Sequence, residues 1–380
     1  MKTKYRFLYF LLLILLLQLP LSQTSLLLTQ EQQSQENIEQ YLQTISDGPY
    51  FFRQNGNLQM NYIHQGKLLS KEIKAKGGKY QVKVKPLKQK FTIPVIPPLK
   101  DPSEFKGVKK IFVVSDVHGQ LQWFKALLLN NKIVNKKMNW RWKKGHLVVL
   151  GDIFDRGEYV TEILWMVYRL EQQAQKKGGK VHFTLGNHEA MPLYGDLRYV
   201  HKKYTLSAKH ILKTTLPELY GPKSILGEWL RTKNTIIRIN NLLLVHAGIH
   251  PEIIKADLNF HVVNDIIRTN LGKTKETLKA DEILGFMFFT NGPLWFRGYF
   301  SGYDDYQKLE PEVIQQTLDH FSVDHILVGH STQEKITKLY DGKVIGVDSG
   351  IKTGKRGQAL LWEKGKFYVA KIKGKPVLLK

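Results

Sequence analysis

Five short apolar runs in this chain each stop on a small polar segment built from Asp, Asn and His. Ile111 to Ser115 runs into Asp116-Val117-His118-Gly119-Gln120, and Leu147 to Leu150 into Gly151-Asp152-Ile153-Phe154-Asp155-Arg156-Gly157. Val181 to Leu185 ends in Gly186-Asn187-His188-Glu189, Leu242 to Val245 in His246-Ala247-Gly248, and Ile326 to Val328 in Gly329-His330-Ser331. Leu121 to Leu129 and Tyr159 to Gln175 separate the first three runs and carry helical apolar spacing, so the rhythm is strand, loop, helix, strand. That rhythm demands an α/β fold with a sheet whose strands end on one edge, where α/β folds place their sites.

The residue types at those ends suit metal-assisted chemistry. Asp116 and His118 stand two apart and can point the same way from an extended turn, while Gly119 lets the backbone reverse into the next helix. Asp152 ends the second strand, and Asp155 and Arg156 follow in the loop that opens the next helix. Arg156 offers a planar fork to a phosphate. Asn187 and His188 supply an amide oxygen and a titratable imidazole side by side. Any one of these segments alone is weak evidence, because a lone His after a strand is usually a satisfied loop residue and a lone Gly-Asp is a turn. Together, in order, they hold enough ligands for two metals. With oxygen and imidazole donors and no cysteine in the chain, manganese, iron and zinc all fit.

The rest of the 380 residues is organised around this body. Residues 1–22 read as a signal peptide: a basic start, an apolar run from Phe7 to Leu17, then Gln18-Leu19-Pro20. Export to the periplasm or medium is the expectation, with anchoring through residues 7–17 as the alternative, although that run is shorter than the ~20 residues a spanning helix needs. Residues 23–46 are glutamine-rich and read as a polar linker or short exposed helix. Residues 47–106 read as a small β-hairpin segment and proline-rich linker, with strands at Tyr50 to Phe52, Leu58 to Ile63, Leu68 to Ile73 and Tyr80 to Val84. Residues 107–380 form the main domain. Its later strands fall at Thr235 to Ile239, Leu242 to Val245, Ile326 to Val328, Val344 to Val347, Ala359 to Trp362 and Phe367 to Ile372, and the middle from about Thr205 to Leu284 is mostly helical. The net charge of +24 would attract polyanions, but the lysines are dispersed and form no nucleic-acid motif.

The ordered set SDVHG, GDIFDRG, GNHE, HAGI and GHS resembles the phosphoprotein phosphatase branch of the calcineurin-like metallophosphoesterases. GNHEAMPLYGDLRYV over 186–200 and GPLWFRGY over 292–299 are similar to the Shewanella-like protein phosphatases. The resemblance covers roughly residues 108–380. It implies an αββα sandwich of two mixed sheets flanked by helices, beside which the N-terminal strands form a small antiparallel appendage. It implies that Asp116, His118 and Asp152 hold one metal, and that Asp152, Asn187, His246 and His330 hold the other. It further implies His188 as general acid oriented by Asp155, with Arg156 and Arg297 as phosphate clamps. Two departures, Ser115 where the family often has Gly and Ser331 where it often has Thr, remove no ligand. His250 adjoins a motif and stays open, Asp348 is expected in a structural role, and Trp295, Tyr299, Met191 and Tyr194 either shape the substrate cleft or, the commoner fate of such side chains, pack in the core. Three functions follow: protein phosphatase on serine, threonine or tyrosine phosphate; phosphoesterase on nucleotides or other small molecules, as in the related diadenosine tetraphosphatases; and a non-catalytic phosphate-binding protein.

Overall fold

The computed structural model describes residues 21–85, 87, 89–303 and 306–380. The expected signal segment lies outside the described residues up to residue 20, and so does the apolar run 7–17. Among the described residues, no helix is long and apolar enough to cross a membrane.

A helix, α1 (Leu21–Thr44), occupies the stretch expected as a polar linker or short exposed helix. The segment is rich in Gln, Glu and Leu, which are good helix formers, and it contains no Gly or Pro. Five strands follow: β1 (Asp47–Gln54), β2 (Asn57–His64), β3 (Lys67–Ile73), β4 (Lys79–Val84) and β5 (Gln89–Pro94). The first three form one antiparallel sheet, and β4 and β5 a separate hairpin. β5 was not anticipated because Pro94 suggested a linker. Pro94 pairs with Lys79 at the end of the ladder, where a missing N–H costs little.

The main body begins with β6 (Glu104–Phe105), β7 (Lys110–Val114) and helix α2 (Leu121–Asn130). It continues through β8 (His146–Leu150), helix α3 (Val160–Gln175), β9 (Lys180–Thr184) and helix α4 (Asn187–Leu193). After a run of short helices come β10 (Ile236–Ile239), β11 (Leu242–Val245), β12 (His325–Val328), β13 (Thr337–Leu339), β14 (Val344–Gly346), β15 (Ala359–Glu363), β16 (Lys366–Ala370) and β17 (Val377–Leu378). They build two six-stranded mixed sheets, ordered β13-β14-β12-β11-β10-β6 and β17-β16-β15-β7-β8-β9. β7, β8 and β9 are mutually parallel, as are β11, β12 and β14. Alternation along the strands divides the core: Ile111, Val113, Val148 and Leu150 face Ile237, Leu242, Leu244 and Leu327 in the seam between the sheets. Phe112, Val114, Leu147 and Val149 point the other way into the helical layer. Far from the strand ends that carry the motifs, buried His182 and His146 pair ring to ring at 2.9 Å, and burial depresses both, His146 to about 4. They are neutral core residues.

The N-terminal strands share this core. Tyr50, Phe51, Tyr80, Val82 and Phe91 join the helical layer, and the Trp165 ring on α3 meets Phe51 at 5.4 Å and Phe91 at 5.1 Å. Its Nε1 donates to the Pro49 carbonyl at 2.9 Å, and Arg53 Nε meets both Glu228 oxygens at 2.6 and 2.9 Å. The segment is therefore integrated with the body, because hairpins this small cannot bury their apolar faces alone. Trp165→Ala is expected to cost about 3 to 5 kcal/mol in urea unfolding. An unchanged midpoint would show that the strands do not rest on α3.

Candidate metal centre

The loops after β7 and β8 continue alongside one another beyond the strands. His118 N donates to Asp152 O at 2.8 Å, Gly119 N to Ile153 O at 3.0 Å, and Gly157 N to His118 O at 3.0 Å. At the crossing, Gly119 has a φ of 68°, and a Cβ on it would lie 2.6 Å from the Gly157 backbone. Only glycine fits. Asp116, His118, Asp152, Asp155, Arg156 and His330 all sit at positive φ, between 45° and 69°. Each non-glycine residue held there costs on the order of 1 kcal/mol, a pattern that clusters at functional sites.

Those loops bring the expected residues together. Asp152 lies at the centre: Oδ2 is 3.4 Å from His118 Nε2 and 3.9 Å from His188 Nε2, while Oδ1 is 3.3 Å from His246 Nε2. His118, Asp152 and His188 form one group with metal-ligand spacing, and Asp152, His246 and His330 form a second, all buried. Asn187 Oδ1 is 3.1 Å from His246 Nε2. Asp116 Oδ1 stands 4.0 Å from His118 Nε2, and its Oδ2 accepts from Ser115 Oγ at 2.5 Å and His330 N at 3.0 Å. His188 Nδ1 is held by Asp155 Oδ2 at 2.6 Å, which turns Nε2 toward the cluster. Arg297 Nη1 donates to His330 O at 3.0 Å, and the exposed Arg156 lies 4.8 Å over the Tyr199 ring. His250 is not part of the cluster: it caps the helix Pro251–Lys255, accepting from Glu252 N at 3.2 Å.

The ring hydrogen bonds decide whether metal fits. His118 Nδ1 is 2.7 Å from Phe154 O, and His246 Nδ1 is 2.9 Å from Leu150 O, so each Nδ1 carries the proton. His118 Nε2 then turns its lone pair toward Asp152 Oδ2, acceptor against acceptor, while His246 Nε2 faces Asp152 Oδ1 and Asn187 Oδ1. His330 Nε2 is buried and, among the described residues, has no partner. In the protein alone the conflict appears as displaced titration. Burial opposes charge on His246, yet Asp152 overcomes it and pushes His246 up to about 10, whereas burial holds His118 and His330 well below their usual range. Burial and Asp348 push Asp116 up, and His246 and His188 overcome burial to hold Asp152 down. Cations at this point would satisfy these atoms, and the hard oxygen and imidazole donors suit them.

One buried residue escaped the sequence reading although it lies inside a motif. Glu189 Oε1 accepts from Ile153 N at 2.7 Å and Oε2 from Asp152 N at 2.9 Å and Gly186 N at 2.7 Å, clamping the Asp152 loop to the start of α4. Its place at the third position of α4, where a Glu side chain can reach back to the N-cap N–H, is the signal that could have revealed it. Tyr199 was missed too: its ring is 5.3 Å from that of His188, and its carbonyl accepts from Arg156 N at 2.8 Å. Asp348 takes a structural place, accepting from Thr332 Oγ1 at 2.5 Å and Gly350 N at 2.9 Å. Tyr299 and Met191 are core residues, and Tyr194 is buried beside them.

The family model of calcineurin-like phosphoesterases matches residues 109–334. The chain belongs to the calcineurin-like phosphoesterases. Among solved structures, this phosphoesterase is similar to the cold-active protein-tyrosine phosphatase of a psychrophilic Shewanella species, at 39% identity and a TM-score of 0.81, covering 89% of this chain and 100% of that one. Residues 108–380 make up under three quarters of the chain, so that likeness reaches into the N-terminal strands. Among curated proteins it is similar to Shewanella-like protein phosphatase 1 of Plasmodium berghei, 26% identical over 59% of this chain and 61% of that protein. It is also similar to Shewanella-like protein phosphatase 2 of Arabidopsis thaliana, 23% identical over 66% of this chain and 74% of that protein. The chain thus spans less than two thirds of the Plasmodium relative. It is a metallophosphoesterase with protein phosphatase relatives.

Proposed function

We propose that this phosphoesterase hydrolyses phosphate monoesters on proteins, with tyrosine phosphate as the preferred class. The observation that carries the reading is the buried cluster around Asp152 with His188 held beside it by Asp155. Asp116, His118 and Asp152 would hold one divalent cation, and Asp152, Asn187, His246 and His330 a second; manganese, iron and zinc suit these donors. Bound there, such cations supply Lewis acidity, acidifying water and neutralising phosphoryl charge. The protein groups do the rest. Asp155 fixes the His188 ring so that Nε2–H can donate its proton to the departing oxygen. Arg156 and Arg297 present guanidinium donors to the phosphoryl oxygens.

The frame around the site favours an aryl ester. Tyr199, 39% exposed, lies between Arg156 and His188; Tyr303 lies 4.7 Å under Arg297; and the Trp295 ring stands 5.6 Å from His330. Such faces can pack a phenyl leaving group. The name of the Shewanella structure supports the same reading. Export through residues 1–22 belongs to this proposal, and would place the enzyme among extracytoplasmic phosphoproteins. The test is a panel of phosphotyrosine, phosphoserine and phosphothreonine peptides against nucleotides, with metal content measured in parallel. Phosphotyrosine peptides are expected to show kcat/KM about tenfold or more above phosphoserine peptides. Turnover of nucleotides with none of any phosphopeptide would overturn the protein phosphatase reading in favour of a small-molecule phosphoesterase.

A further inference from the structure

A cavity of about 560 Å³ lies between the β4–β5 hairpin and helices α2 and α3. None of its lining residues belongs to the cluster around Asp152. Five cations line it, Lys90, Lys125, Lys137, Arg169 and Lys176, against the single carboxylate Glu162. Among the described residues none of these five has an ion-pair partner, whereas Glu162 Oε1 stands 3.6 Å from Lys203 Nζ. Two atoms in the wall are buried and unsatisfied: Arg169 Nε, a donor, and Glu162 Oε2. They lie seven residues apart on α3 and therefore on one helix face. Among the described residues Arg169 is otherwise held through Nη2, which donates to the Met138 carbonyl at 3.1 Å.

A guanidinium kept half-buried with an idle N–H, beneath lysines that repel one another, is a costly arrangement without an anion. Burial lowers the pKa of Arg169 and pushes Glu162 up to about 7, and the one carboxylate already faces Lys203. Lys90, Lys137 and Lys176 are exposed at the rim, and Lys125 is half-buried. The rim therefore attracts an anion while Arg169 gives it a directed donor. The volume falls within the ~300 to 1,000 Å³ of small-molecule sites, too small for a macromolecular surface. We propose that this cavity is a binding site for a small polyphosphorylated molecule, held by Arg169 with Lys125 and by the lysines at the rim.

The competing explanation is the diffuse attraction of a chain carrying +24 for any polyanion. The probe is myo-inositol hexakissulfate, which is compact, multiply anionic and has no phosphoester to be cleaved. It is titrated calorimetrically into the metal-loaded, full chain at about 0.15 M salt, where exposed charges act over only about 8 Å. Three proteins are compared: wild type, a cavity pair Lys125→Gln with Arg169→Gln, and a control pair Lys109→Gln with Lys143→Gln on another basic surface. The cavity pair is expected to weaken binding at least tenfold and the control pair to leave it unchanged, with thermal unfolding and phosphatase activity retained in both. Equal weakening by the two pairs, or no binding to wild type, would overturn the proposal. Should the cavity pair fail to fold, Lys125→Gln with Lys137→Gln tests the same site from its rim, and undiminished binding by that variant overturns it equally.

Discussion

Asp152→Asn is expected to remove nearly all hydrolysis, lowering kcat/KM about 1,000-fold or more, and to reduce the metal retained after gel filtration from two ions per chain to one or none. The substitution keeps the shape of the side chain and deletes its charge. That charge is the one feature common to both groups of facing ligands, with an oxygen 3.4 Å from His118 Nε2 and another 3.3 Å from His246 Nε2. Lewis-acid stabilisation is worth several kcal/mol, and about 4 kcal/mol corresponds to a thousandfold in rate. Elemental analysis and steady-state kinetics on the same preparation check it. A variant that keeps two ions and wild-type turnover would show that the carboxylate is not shared between them.

His188→Ala is expected to behave differently: kcat falls about 100- to 10,000-fold on phosphopeptides, the range for loss of a general acid, while metal content is unchanged. The loss should shrink on p-nitrophenyl phosphate, whose leaving group departs without help. The measurement also decides a question left by the geometry, because His188 Nε2 lies within ligand spacing of His118 and Asp152 as well as being oriented by Asp155. Retained metal with a leaving-group-dependent rate identifies the proton donor. Lost metal, with every substrate affected alike, would make His188 a ligand instead.

Much of this centre was legible before any coordinates because its parts are local. A strand ending in Asp-Val-His-Gly or Asn-His-Glu announces its chemistry within a few residues, and the α/β rhythm places those ends on one edge. Glu189 was harder to see: its four backbone N–H donors come from Asp152, Ile153, Phe154 and Gly186, three of them in a different loop. The N-terminal strands were legible as strands but not as part of the core. Their placement rests on contacts such as Arg53 with Glu228, 175 residues apart, and Thr161 with Asp47, 114 apart, which no local pattern encodes.

The cluster draws its side chains from both sheets: Asp116, His118, Asp152 and Asn187 follow strands of one, and His246 and His330 follow strands of the other. The amide of His330 reaches across 214 residues to Asp116 Oδ2. The two sheets therefore act as the jaws of a calliper, with the apolar layer of Ile111, Val113, Leu242 and Leu244 as its screw. Cores are close-packed, so a methylene added or removed in that layer is expected to shift one jaw against the other, although none of these four residues belongs to the cluster. Tuning of this enzyme is thus open to positions that look like packing alone.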